Sequence, residues 1–186
     1  MSAGHAAGHI DPSNKKVALL IAVLALVLAF AETLGKAAQT SALANHIEAS
    51  NLWSFFQAKT IRQTTIRTAA QEMEAQFGNR APEAVTKQVE AWKKTVERYE
   101  SEPETNEGRK ELAARAKDRE AKRDRATAAY HHYELSSAAV QIAIVLASAQ
   151  IITGVAALLW IAYALGAIGL AFGLLGLFWP TAVHFF

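Results

Sequence analysis

Residues Leu135–Phe186 read LSSAAVQIAI VLASAQIITG VAALLWIAYA LGAIGLAFGL LGLFWPTAVH FF, 52 positions without a lysine, arginine, aspartate or glutamate. All 19 bases and 17 acids of the 186-residue chain lie between Asp11 and Glu134. A water-soluble domain does not leave more than a quarter of its length uncharged, so the fold is decided here: this is a membrane protein. A helix needs about 20 residues at 1.5 Å each to cross a hydrocarbon layer of about 30 Å. The run is therefore too long for one crossing and suits two. Tyr130, Tyr133, Trp160, Tyr163 and Trp179 bracket it at intervals that fit headgroup depth. They predict crossings at 136–160 and 162–182, with a tight turn near Trp160–Tyr163 and a short C-terminal end, 183–186.

Towards the N-terminus, Val17–Ala31 is apolar, preceded by Lys15-Lys16 and followed by Glu32, Gly35 and Lys36. Residues 15–36 fit a first crossing, and residues 1–14 a flexible tail carrying His5 and His9. Two lysines before an apolar run also resemble a signal peptide; an uncleaved anchor is expected. Three crossings place the termini on opposite sides. Near the membrane ends, Lys36, Lys117, Arg119, Lys122, Arg123 and Arg125 outnumber Lys15 and Lys16. That favours a cytoplasmic middle region.

Between the apolar runs, Gly35 is the only helix breaker from residue 13 to Phe77. Gly78-Asn79-Arg80-Ala81-Pro82 reads as a helix stop followed by proline at a new first turn. Val85, Val89, Trp92, Val96 and Tyr99 then follow at four-three spacing, until Pro103–Gly108 breaks the pattern. The ascending and descending arms, at roughly 63 and 69 Å, nearly match. The expected fold is thus all-α: three transmembrane helices plus a long extramembrane helical hairpin over 37–135. The hairpin is an antiparallel, coiled-coil-like stalk with its tip at 78–82 and a break at 102–108. Leu112, Ala116, Ala126 and Tyr130 share a face with Arg119 and Arg123, a stripe thin enough to call for helices from other copies.

Each crossing carries small residues four and three apart. They are Ala18, Ala22, Ala25 and Ala29 in the first; Ala143, Ala147, Gln150, Gly154 and Ala157 in the second; Ala162, Gly166, Gly169, Gly173 and Gly176 in the third. Helices associate in lipid by close backbone approach, so these are expected packing seams. Glu32 continues the first seam and is expected to snorkel and pair with Lys36, or else to form an intramembrane ion site. Gln150 at mid-depth suits an interhelical hydrogen bond. Trp53, Phe55 and Phe56 lie beyond the first crossing and are expected to contact another helix or a partner.

The chemistry-bearing motifs are sparse. The lack of cysteine excludes disulfides and thiolate chemistry. No phosphate loop, zinc motif, nucleophile elbow or calcium loop occurs. Tyr130-His131-His132-Tyr133-Glu134 reads as an interfacial anchor, and lone His46 as ordinary helix packing. The run Arg109–Arg125 mixes eight bases with four acids, which suits a solvated helix and argues against nucleic acid as a partner. No catalytic residue, metal site or cofactor is expected.

Asn14–Lys36 and the stretch Glu48-Ala49-Ser50-Asn51-Leu52-Trp53-Ser54-Phe55-Phe56 through Gln63 resemble a bacterial membrane-protein family, domain of unknown function 4337. The layout of one anchor, a helical middle and a C-terminal apolar pair resembles it too. The resemblance implies a bacterial membrane location and no activity. The expected function is a homo-oligomeric, membrane-anchored helical scaffold without catalysis, its partners being the lipid bilayer and itself. The alternatives are a channel or transporter subunit with Glu32 lining a pathway, and an accessory subunit docking other membrane proteins. The expected location is the bacterial cytoplasmic membrane.

Overall fold

The computed structural model describes residues 12–182; His5, His9 and the ends 1–11 and 183–186 lie outside the described residues. It has four α-helices: α1 (Pro12–Phe77), α2 (Glu83–Glu100), α3 (Arg109–Thr153) and α4 (Ala156–Phe178), with a 3-10 turn at Gly78–Arg80. No strand occurs among the described residues. Three helices, α1, α3 and α4, contain segments long and apolar enough to cross a membrane.

The chain divides into two compact units, one of residues up to Ser41 together with those from Arg125 onward, the other Ala42–Asp124. The first unit packs the start of α1 and the end of α3 against α4. Val17 and Leu24 of α1 meet Val140, Ala143 and Ala147 of α3 and Ala162 of α4 in its core. Val17, Leu24 and Ala31 are buried and seven apart, so one narrow stripe of α1 faces inward. Large side chains on the other faces, such as Leu19, Leu26, Ile152 and Trp160, stay exposed. That is the inside-out pattern a hydrocarbon solvent permits.

The turn between α3 and α4 falls at Gly154–Val155, not at Trp160–Tyr163. Gly154 adopts φ +71°, a left-handed helix end that glycine enters without a Cβ penalty. Trp160 and Tyr163 accordingly sit in the first turns of α4, and Gly154 and Ala157 do not belong to the second crossing.

In the second unit α1 runs out to Phe77 and stops because Gly78 takes φ +51°. Pro82 is extended, and Glu83 opens α2 with an acid in its first turn, where the helix dipole favours it. α2 returns along α1: Gln63 donates through Nε2 to the Val96 carbonyl (3.0 Å), and Lys93 pairs with Glu74. Val89 is buried, and Val85, Trp92, Val96 and Tyr99 are half-buried beside it, so the four-three stripe of α2 is its packing face. After the break, α3 continues against the earlier part of α1, where Leu112 and Ala116 bury against Leu52.

Candidate functional site

The glycines of α4 are consumed inside the chain. A Cβ at Gly169 would lie 2.5 Å from Val140 Cγ2 and 3.0 Å from the Ser136 carbonyl. One at Gly176 would meet His132 and Tyr133 at 3.1 Å, and one at Gly166 would meet Leu24 at 2.8 Å. Gly173 is looser, with Ser136 Oγ at 3.2 Å. The close approach lets the buried Ser136 hydroxyl donate to the Gly169 carbonyl at 2.7 Å. Interhelical bonds of this kind contribute about 0.6 kcal/mol, up to roughly 1.7. His132, also buried, donates through Nε2 to the Pro180 carbonyl (3.1 Å) and so ties down the end of α4. Ala143 and Ala147 are buried in the same core, whereas Gln150 lies three residues from the end of α3, not at mid-depth, and its buried Oε1 accepts no interhelical hydrogen bond.

The alanines of α1 point elsewhere. Ala18, Ala22, Ala25 and Ala29 are all exposed, on a face that neither α3 nor α4 covers. Glu32, next at that spacing, is exposed too, but lies where α3 reaches it. Its hydrogen-bond partner is Gln141 of α3 (Nε2 to Oε1, 3.2 Å), not Lys36 of its own helix. Gln141 reaches Ser137 as well, at 3.3 Å. A carboxylate, an amide and a hydroxyl thus gather at the outer edge of the apolar unit. Four-three counting along α1 does not find Gln141; the available signal is an amide inside an apolar crossing, one turn from a serine.

In the second unit the aromatic cluster is largely occupied by the chain itself. Trp53 and Phe56 pack edge to face (5.4 Å) against the Leu52–Leu112–Ala116 core. Trp53 Nε1 donates to Glu120 at 2.9 Å, and Phe56 lies under the Arg109 guanidinium. Phe55 keeps more than a third of its surface exposed.

Close by lies a buried polar node. Lys59 has a side chain 7% exposed, paired with Glu102 (3.3 Å), donating to the Glu107 carbonyl, and lying over the rings of Phe55 and Tyr99. Arg109 donates to Thr60, Gln63 and Glu100 at 2.7–2.9 Å. The node pins the 101–108 break onto α1. A hydrogen bond from Gln63, and then the Arg109 charge, hold the Glu100 carboxyl below its ordinary range. The Ser101 hydroxyl, followed by the Glu102 backbone N–H, does the same for Glu111.

Residues 13–179 match the family described as Domain of unknown function (DUF4337). The chain belongs to this family. No curated protein and no solved structure matches it. The DUF4337 match runs from the start of α1 to Trp179, so the alanine seam, the Glu32–Gln141 pair and the Lys59 node all fall within it. The family's description carries no activity.

Proposed function

We propose that this DUF4337 protein is a homo-oligomeric, membrane-anchored helical scaffold with no reaction of its own. The observation that carries the proposal is the uncovered alanine face of α1, continued by Glu32, in a unit whose glycines are already occupied. Lipid supplies no hydrophobic force between helices, so a small-residue face is stabilising only where another backbone approaches it. Glu32, at the end of that face, is exposed and bonded once, to Gln141, so its other carboxylate oxygen is open to a polar group of a second copy. In this proposal Ala42–Asp124 stands outside the bilayer as a stalk. The excess of Lys and Arg beside it favours the cytoplasmic side of a bacterial inner membrane.

Native mass spectrometry of the full chain in mild detergent tests this. The wild type should be a defined multimer, and Ala22→Leu combined with Ala25→Leu should be monomeric with unchanged helix content. A monomeric wild type would overturn the proposal. The Glu32–Gln141 pair also favours a second function, a conduit in which symmetry multiplies the carboxylate into a ring. Ion flux into liposomes that is lost in Glu32→Gln would select it.

A further inference from the structure

Within the second unit, one side of α1 is spent on α2 and α3 and the other is bare. Ala49, Leu52, Gln63 and Ala70 are buried on the inner side. Opposite them, at four-three spacing, lie Leu43, Ile47, Ser50, Ser54, Ile61, Thr65 and Thr68, all exposed. Leu43 is 60% exposed, Ile47 51% and Ile61 67%. His46, Gln57, Ala58 and Thr64 flank the stripe, and its first charged residue is Glu72. A helix face made for water carries charge, and this helix has charges to place: Arg62 and Arg67 lie off the stripe, Glu48 pairs with Arg119, and Lys59 pairs with Glu102. Two of the four hydroxyls on the stripe are spent on their own helix. Ser54 donates to the Ser50 carbonyl at 2.9 Å and Thr65 to the Ile61 carbonyl at 3.0 Å. Beside Ile61 the threonines Thr64, Thr65 and Thr68 line a shallow groove of 580 Å³, which Glu72, the residue that bounds the stripe, also lines.

We infer that this stripe, Leu43–Thr68, pairs with the same stripe of a second copy, parallel and in register. The inference rests on the self-assembly proposed above. Copies that share a bilayer and an orientation are related by an axis along the membrane normal, which makes their α1 helices parallel. About a twofold axis each side chain on the seam faces its own twin, so any charge there would meet a like charge. An uncharged stripe satisfies that symmetry, and it offers no complementary charge by which to select a different protein. The size agrees with a supporting contact. Twenty-six residues rise about 39 Å, and a strip about 10 Å wide covers roughly 400 Å² per copy. That is about 800 Å² in total, below the roughly 1,200 Å² of a stable interface, so the stripe pairs only where the membrane seam has already gathered the copies.

The chain has no cysteine, so single cysteines report cleanly. Ser50→Cys, Ile61→Cys and, as a control on exposed α2, Gln88→Cys are each oxidised in the full chain in mild detergent, beside native mass measurements. Ser50→Cys and Ile61→Cys should each become mostly covalent dimer, at least tenfold above Gln88→Cys. The inference is overturned, and self-assembly survives, if the protein is multimeric yet neither stripe cysteine exceeds the control. It is equally overturned if Ser50→Cys links only to Ile61→Cys in a mixture, which means antiparallel pairing. A monomer by native mass removes both.

Discussion

Gly169→Leu is expected to disrupt the apolar unit, with a loss at or above the upper end of the 1–3 kcal/mol that overpacking commonly costs. Val140 Cγ2 would lie 2.5 Å from the first added carbon and could rotate away, but the Ser136 carbonyl at 3.0 Å is backbone and cannot. Relief requires α3 and α4 to separate, which also breaks the Ser136–Gly169 bond. Gly173→Ala is the internal control. Its Cβ meets Ser136 alone, the Oγ at 3.2 Å and the Cβ at 4.0 Å, so a shift of a few tenths of an ångström relieves it, at most lengthening the Ser136–Gly169 bond. Melting in detergent, followed by circular dichroism, should show a large fall for the first variant and a small one for the second. Equal melting of Gly169→Leu and wild type would mean that α4 does not lie against α3 there. The alanine variants should behave in the opposite sense, losing assembly while keeping the fold.

The second large effect is expected at the polar node. Lys59→Ala removes a buried cation and leaves the Glu107 carbonyl and the Glu102 carboxylate without it. Breaking such a pair from one side costs about 3 kcal/mol or more. At 1.4 kcal/mol per decade, amide exchange in α2 should accelerate roughly a hundredfold. Lys59→Met, which keeps carbon over Phe55 and Tyr99, should lose less than half as much. Unchanged protection in Lys59→Ala would remove the node's structural role. Acid acts on the same place. Glu100 and Glu111 are held below their ordinary range in the folded chain, so the stability they contribute is complete above the free-glutamate value of about 4.3. It is lost as pH falls through the lower folded values. The melting temperature should hold between about pH 6 and 8 and drop below about pH 4.

Helix ends were legible wherever the backbone needed a special residue. Gly78 with Pro82, and Pro103 with Gly108, announce their stops because few other residues fit there. Gly154 carried the same signal, but counting apolar length and aromatic spacing runs straight through it and sets the turn about six residues late. The small-residue spacing shows that a face is made for close approach, and it is silent on which neighbour approaches. Hence Gly166, Gly169 and Gly176 fill the chain's own interior, while Ala18, Ala22, Ala25 and Ala29 look outward. Long-range polar pairs were not legible at all. Lys59 and Arg109 lie 50 positions apart, and only the folded chain brings them to one node.

The proposed division of labour, in which glycines build one chain and alanines gather several, is tested most directly in a bilayer. Copies carrying donor or acceptor dyes at Gln88→Cys, an exposed position on α2, are reconstituted together, and energy transfer is followed as lipid is added. Specific assembly predicts transfer that stays constant over a wide dilution. Transfer that falls with dilution to the level of random encounters would contradict it.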